Sequence, residues 1–171
     1  YYYGIKIFPE GDFIKECIQE VFIRIWETHE NLSDVQYLKS YLLISLRRKI
    51  LTAKEKEKRN VEIDHAEAYS FFFEENEFEK HEEIPDEIRQ VLLKAINSLT
   101  KKQRELIMLF FYHELPYVEI AKIIGISVQA TRNLMYRTLI HLRKSLGEKS
   151  LSSMQNMFFL LFSPTSVKKV I

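Results

Sequence analysis

The sequence predicts an all-α protein in which two small helical domains are joined by a linker, the C-terminal domain being a four-helix unit. The chain of 171 residues contains only four Gly and four Pro, whereas strand-rich chains need frequent turn residues. Apolar residues recur at intervals of three and four along most of the chain, which is the period of an amphipathic helix. That period is lost between residues 60 and 85, so this stretch is predicted to separate the two helical domains.

Composition excludes several classes of protein. Cys17 is the only cysteine, which excludes an internal disulfide and a cysteine-based zinc site and is typical of a reducing cytoplasm. No histidine stands at a metal-ligand spacing, and the chain has no Gly-rich phosphate loop, nucleophile elbow or clustered acid-base set. We therefore expect a cytoplasmic protein that is not an enzyme and uses no metal or other cofactor. The start, YYYGIKIF, lacks the pattern of a signal peptide and, without an initiator Met, is interpreted as truncated.

Charge is segregated along the chain, although the formal net charge is only +1. Residues 38 to 59 carry eight Lys or Arg side chains against two Glu, whereas residues 61 to 87 carry eleven acidic side chains with Lys80 as the only basic one. Such polarised blocks indicate separate surfaces with separate partners.

The first domain, residues 1 to 59, is predicted to contain two main helices. The first runs from Asp12 to Glu30, and the second runs from Val35 to about Arg59 and turns steadily basic. The breaks at Asn31, Ser33 and Asp34 supply candidate caps between them. The apolar stripe of the first helix consists of Phe13, Cys17 or Ile18, Val21, Phe22, Ile25 and Trp26.

The linker, residues 60 to 85, is acidic and is closed by Pro85. It has a short aromatic run, from Phe71 to Phe73, but no sustained helical period. Because its charges repel one another, we expect it to be extended or partly disordered when alone.

The second domain, residues 86 to 148, is predicted to begin with a helix from Asp86. Thr100 is placed to cap a second helix from Lys101 to about His113, and Pro116 marks the start of a third. The apolar residues assigned to the core of these helices are Ile88, Val91, Leu92, Ala95, Ile96, Leu99, Leu106, Ile107, Leu109, Phe110 and Phe111.

The stretch from Tyr117 to Lys144 predicts a helix-turn-helix. Gly125 can adopt the left-handed conformation that ends one helix, and Ser127 can cap the next. Ala121 is the small residue needed where the helices cross. The apolar residues expected inside are Ile120, Ile124, Ile126, Leu134 and Met135. The opposite face of the second helix, which is suited to the major groove of DNA, carries Gln129, Arg132, Asn133, Tyr136 and Arg137.

A plain helical hairpin with a solvated polar face is the alternative for this stretch. The spacing of small residue, glycine and capping serine favours the helix-turn-helix instead. The tail, residues 149 to 171, contains MFFLLF, which is much too short to span a bilayer. The tail is expected either to pack on the second domain or to dock a partner, without membrane insertion.

The order of these segments resembles the extracytoplasmic-function class of bacterial sigma factors. The family signature around QEVF and Trp is similar to IQEVFIRIWE at residues 18 to 27. LKSYLLISLRRKIL at residues 38 to 51 resembles the family's next segment. LTKKQRELIMLFFYHELPYVEIAKIIGIS at 99 to 127 and TRNLMYRTLIHLRK at 131 to 144 resemble its C-terminal region. The helix that normally precedes the QEVF helix is mostly missing, so the resemblance implies a region 2-like domain with a truncated first helix and a region 4-like domain.

The resemblance implies a non-enzymatic protein that gives promoter specificity to core RNA polymerase. The second domain would read the −35 element, with Arg132 and Asn133 foremost on base edges. The loop from Glu30 to Gln36 would bound a pocket for a flipped base. Contacts to the −10 element are assigned to Tyr37, Lys39, Tyr41, Arg47, Arg48 and Lys49. Contacts to core polymerase are assigned to Gln19, Glu20, Phe22, Arg24 and Trp26, although a core position is the favoured alternative for Phe22 and Trp26.

The family also implies an anti-sigma factor as partner and an acidic linker that threads the polymerase near the RNA path. A second hypothesis remains from the residues themselves. A stand-alone dimeric helix-turn-helix regulator would use residues 12 to 59 to sense a signal or to dimerise.

Overall fold

The structure, a computed structural model, describes residues 1–31, 37–60, 71, 73 and 86–146. Within these ranges the secondary structure is helical without strands, which confirms the all-α prediction. The seven α-helices of the described ranges are α1 (Tyr2–Ile7), α2 (Gly11–Thr28), α3 (Leu38–Asn60), α4 (Asp86–Asn97), α5 (Lys101–Ile107), α6 (Tyr117–Ile124) and α7 (Val128–Leu146). The chain divides into two compact units, Tyr1–Phe71 and Phe72–Ile171.

The first unit packs α1, α2 and α3 around a small apolar core. A Cβ added at Gly4 would lie only 2.7 Å from Cγ2 of Ile14, so glycine permits the close approach of α1 to α2. Burial also raises the pKa of the Cys17 thiol, which keeps this core residue neutral. The buried apolar side chains are Tyr3, Ile7, Ile14, Cys17, Val21, Leu43, Leu46, Ile50 and Phe71.

The apolar stripe predicted for α2 was partly wrong. Ile14, which the prediction omitted, is fully buried, whereas Phe22 and Trp26 are 56% and 76% exposed. The core position favoured for these two aromatics is therefore incorrect. The sequence is ambiguous here because α2 carries apolar residues on more than one face, and periodicity alone does not say which face meets α3.

A lysine sits against two aromatic rings where the chain passes between α1 and α2. The Nζ of Lys54 lies 3.8 Å from the ring centroid of Phe8 and 4.5 Å from that of Phe13, and it is 3.6 Å from a carboxylate oxygen of Glu10. The basic end of α3 is thus used in part to hold the first unit together.

The aromatic run of the predicted linker is partly incorporated into the two units. The Phe71 N–H donates to the Lys6 carbonyl at 2.8 Å, and its buried ring meets Tyr3 edge-on at 6.3 Å. In the second unit, the Phe73 N–H donates to Oδ1 of Asn97 and the Asn97 Nδ2 donates to the Phe73 carbonyl, at 3.1 and 2.9 Å. The rest of the predicted linker, at 61–70, 72 and 74–85, lies outside the described residues.

The second unit packs α4, α5, α6 and α7 around a continuous apolar core. Thr100 caps α5 as predicted, in a reciprocal capping box with Gln103. The predicted helix to His113 continues past Ile107 as a π-helical turn, Met108–Tyr112. Val91, assigned to the core, is 48% exposed. The buried apolar side chains are Phe73, Leu92, Ala95, Ile96, Leu99, Leu106, Ile107, Met108, Leu109, Leu115, Ile120, Ala121, Ile123, Ile124, Met135 and Leu142.

Membrane insertion was not expected for this chain. Among the described residues, none of the helices combines the length and apolar character needed to cross a bilayer. The tail at 149–171, including MFFLLF, lies outside the described residues.

Candidate nucleic-acid interface

The turn between α6 and α7 has the geometry that the sequence predicts. Gly125 has a φ of 77°, a left-handed conformation that costs a residue with a Cβ about 1 to 2 kcal/mol. The N–H groups of Gly125 and Ile126 both donate to the Ala121 carbonyl, at 2.9 and 3.1 Å. Oγ of Ser127 accepts from the Ala130 N–H at 3.1 Å, so Ser127 caps α7.

The inner faces of α6 and α7 hold the motif together. Ile120, Ala121, Ile124 and Met135 are buried as predicted, while Ile126 and Leu134 are half-buried.

Two threonines, which the sequence interpretation did not assign to the core, are also fully buried on α7. Thr131 donates its hydroxyl to the Ser127 carbonyl at 3.0 Å and Thr138 donates to the Leu134 carbonyl at 2.7 Å. Because both hydroxyls are satisfied within α7, they can be buried without an unpaired donor.

The outer face of α7 is exposed at all five predicted positions: Gln129, Arg132, Asn133, Tyr136 and Arg137. Tyr136 is 68% exposed, which is far more than packing would leave for a core aromatic. The Gln129 Nε2 donates to Oδ1 of Asn133 at 3.2 Å. The Arg137 Nε approaches the Asn133 backbone carbonyl at 3.4 Å. This face therefore combines donors, acceptors and positive charge on one rigid helix.

The candidate −10 residues lie on α3 and just before it, but they do not share one surface. Tyr37 and Arg48 are exposed and Tyr41 is half-buried, and their spacings of four and seven residues place them along one face of α3.

Three members of the −10 set are placed differently. Lys49 forms an ion pair with Glu20 of α2, Arg47 is half-buried, and Lys39 is exposed. The loop predicted to bound a flipped base is described only at Glu30 and Asn31; residues 32–36 lie outside the described residues.

The candidate polymerase-binding residues lie on the outer side of α2 and are all exposed: Gln19, Glu20, Phe22, Arg24 and Trp26. Ile23, which the sequence interpretation missed, is also 56% exposed. Trp26 lies four residues after Phe22 and three after Ile23 along α2, so its side chain neighbours both. The three side chains form one apolar surface, which we call the α2 patch. The Trp26 ring stacks on His29 at 5.6 Å. The sequence of α2 contains more apolar residues than one buried face needs. That excess is the signal that could have revealed Ile23.

The described residues offer no group of three His, Cys, Asp or Glu side chains able to hold a metal ion. The candidate surfaces described above are exposed faces of helices.

Comparison with known proteins finds one matching family model, which covers part of the second unit. Residues 89–142 match the family model described as Sigma-70, region 4. This range contains the helix-turn-helix except for its last two residues, Arg143 and Lys144. A comparison with curated proteins finds no significant match.

Among solved structures, the chain is similar to the sigma factor RpoE in its complex with the anti-sigma factor NepR from Bartonella quintana. The TM-score is 0.55 at 20% sequence identity, and the alignment covers 85% of this chain and 88% of that one. The chain therefore has a helical fold similar to that of this sigma factor, and its residues 89–142 match sigma-70 region 4.

Proposed function

We propose that the protein is an extracytoplasmic-function sigma factor that binds core RNA polymerase and directs recognition of the −35 and −10 promoter elements. One observation carries the proposal. The capped second helix of a sigma-70 region 4 domain presents an exposed face of Gln129, Arg132, Asn133, Tyr136 and Arg137. Such a face has no packing role within its own unit and has the chemistry to read DNA.

The outer face of α7 suits the −35 element. Arg pairs bidentately with guanine, and Asn or Gln with adenine, and each good pair contributes about 1 to 3 kcal/mol of discrimination. Arg132 and Asn133 lie within the first two turns of α7, where a recognition helix meets base edges. Arg137 lies one turn further along the helix and is assigned to phosphate, with Arg143 and Lys144 adding sequence-independent attraction.

The face of α3 with Tyr37, Tyr41 and Arg48 suits the −10 element. Exposed aromatic rings can hold unstacked bases while a cation contacts phosphate, which offsets the cost of opening the duplex. We keep Lys39 and Arg47 in this set as secondary phosphate contacts. Lys49 would reach DNA only by leaving Glu20, so it is the weakest member.

The α2 patch suits the polymerase. Three large apolar side chains exposed side by side are costly in water and are typical of a protein interface. Polar residues at its edge, Gln19, Glu20 and Arg24, would form the rim. The ion pair of Glu20 with Lys49 holds part of that rim in place.

An anti-sigma factor is the other partner that we propose. RpoE was solved with the anti-sigma factor NepR, and a protein of this kind would hold the present chain inactive by covering surfaces that polymerase or DNA needs. All these partners act in the cytoplasm, where we place the protein.

The test is reconstitution. The purified chain, added to core RNA polymerase, should co-purify with it and support run-off transcription from a promoter that carries both elements. The chain alone should bind the same duplex weakly. A stand-alone regulator would instead bind a palindromic duplex tightly as a dimer and would not co-purify with core polymerase, which would refute the proposal.

A further inference from the structure

Two amide side chains on the exposed face of α7 are joined to each other. The Gln129 Nε2 donates to Oδ1 of Asn133 at 3.2 Å, across one helical turn. Both side chains are exposed, so the bond lies on the surface that the proposed function assigns to the −35 element.

In the structure, this bond orients the Asn133 amide. An asparagine amide can present its oxygen or its nitrogen in a given direction, because the two ends are of nearly equal size. Gln129 is the donor of this pair in the structure, and Oδ1 is the only acceptor of the Asn133 amide. Oδ1 is therefore held on the side of Gln129, toward the N-terminus of α7, and Nδ2 lies on the opposite side of the amide.

The amide oriented in this way matches one base. In the major groove, adenine presents an acceptor at N7 and a donor at N6. Nδ2 of Asn133 can donate to N7, and the second lone pair of Oδ1 can accept from N6. Guanine presents two acceptors, N7 and O6, so Oδ1 would face another oxygen. Cytosine presents a donor at N4. It would be preferred only if Oδ1 of Asn133 faced the base and Nδ2 were turned away from it.

The backbone around Asn133 is held independently of this amide. The Arg137 Nε approaches the Asn133 carbonyl oxygen, not its side chain, and the buried Met135 anchors this turn of α7. Gln129 can therefore change the direction of the amide without moving the helix.

We propose that Gln129 is a positioning residue that orients Asn133 to select adenine at one position of the −35 element. This inference rests on the proposed function. It goes further in assigning one base to one side chain and in giving the neighbouring glutamine the role of setting its orientation.

The experiment is transcription by the holoenzyme of core polymerase and full-length chain on a promoter library randomised in the −35 element. The wild type should prefer adenine at one position by about tenfold, as expected for one bidentate pair. Asn133→Ala should abolish the preference at that position and leave the others unchanged.

Gln129→Glu is the decisive variant. A carboxylate only accepts hydrogen bonds, so Asn133 should turn Nδ2 toward it and present Oδ1 outward. The adenine preference at the Asn133 position should fall and cytosine should gain there. An acidic residue in the first turn of a helix is favourable to the helix, so loss of folding is not expected. The matched control, Gln129→Met, keeps the length but removes the donor, and should weaken the preference without reversing it.

The outcomes distinguish failure of the positioning role of Gln129 from failure of the proposed sigma factor function. If Gln129→Glu lowers transcription equally from every −35 sequence, or leaves the adenine preference at wild-type strength, the positioning role is refuted although the sigma factor function stands. If the wild-type holoenzyme transcribes no member of the library, the proposed function fails and the inference fails with it.

Discussion

The outer faces of α2 and α7 are both exposed, but they have opposite chemistry. The α2 patch presents Phe22, Ile23 and Trp26, whereas the face of α7 presents amides, guanidinium groups and a phenol. Apolar side chains gain most when another protein covers them. Amides and guanidinium groups gain most when they meet base edges and phosphates. Under the proposed function, this contrast corresponds to a protein partner for the α2 patch and a DNA partner for the outer face of α7.

The two helices also differ in what determines which of their faces is exposed. The face of α7 is fixed locally, by the Gly125 turn and the Ser127 cap. The outer face of α2 is determined by packing against other helices, through Ile14, Cys17 and Val21. A change in local backbone geometry should therefore affect DNA recognition first, and a change on the α2 patch should affect polymerase binding alone.

The largest effect is expected from the double variant Phe22→Ala, Trp26→Ala. Aromatic side chains at the centre of an interface often contribute at least about 2 kcal/mol each, so loss of both rings should lower affinity for core polymerase by roughly 700-fold. The melting temperature should change little, because both rings are exposed. Titration of labelled protein with core polymerase measures the loss.

The control for the double variant is Leu38→Ala, which removes a side chain of similar exposure, 61%, outside the α2 patch. It should leave affinity for core polymerase unchanged. Equal losses for the patch variant and the control would remove the distinction between the two helix faces.

Arg132→Ala should produce the next largest effect. Loss of one bidentate pair to guanine costs about 1 to 3 kcal/mol, so transcription should fall about tenfold on promoters with the preferred −35 base and little on those without it. Transcription from matched −35 variants is the measurement. Arg143→Ala, which removes an exposed charge further along α7, should instead act evenly on all of them. An even loss with Arg132→Ala would place that side chain on the DNA backbone.

Gly125→Ala should lower the free energy of unfolding by about 1 kcal/mol, because alanine resists the left-handed conformation at this φ of 77°. Calorimetry of the full chain should show the transition of the second unit shifted down and that of the first unit unchanged. A variant of unaltered stability would show that the turn does not fix the face of α7.

The smallest effect is expected from Glu20→Ala. The partner Lys49 is on α3 and both side chains are partly exposed, and such pairs contribute under about 1 kcal/mol. Because Glu20 lies on the rim of the proposed interface, affinity for core polymerase should fall by less than about fivefold. Transcription should show a small gain if the released Lys49 reaches DNA. A loss as large as that of the α2 patch variant would move the centre of the interface to Glu20.

Local signals in the sequence predicted the second unit well. The helix ends at Thr100, Gly125 and Ser127 depend on backbone hydrogen bonds that neighbouring residues supply, so they can be inferred from short segments. The exposed face of α7 follows from its helical period because its five predicted residues are all polar and recur at intervals of three and four.

Features that depend on tertiary packing could not be predicted in the same way. The orientation of α2 is one of them, since Phe22 and Ile14 are equally apolar and only the packing of α3 decides between them. The burial of Phe71 and Phe73 within an acidic segment is another, because their partners are Lys6 and Asn97, far away in sequence. The Glu20–Lys49 pair joins two helices, and helical period carries no information on it.

The proposed function requires the α2 patch and the outer face of α7 to act with one polymerase at one promoter. Its most direct test is run-off transcription by core polymerase with the full chain on a library that varies the −10 and −35 elements together. The proposed function predicts transcription that requires the chain and depends on both elements. Absence of chain-dependent transcription, together with tight dimeric binding to a palindromic duplex, would contradict it.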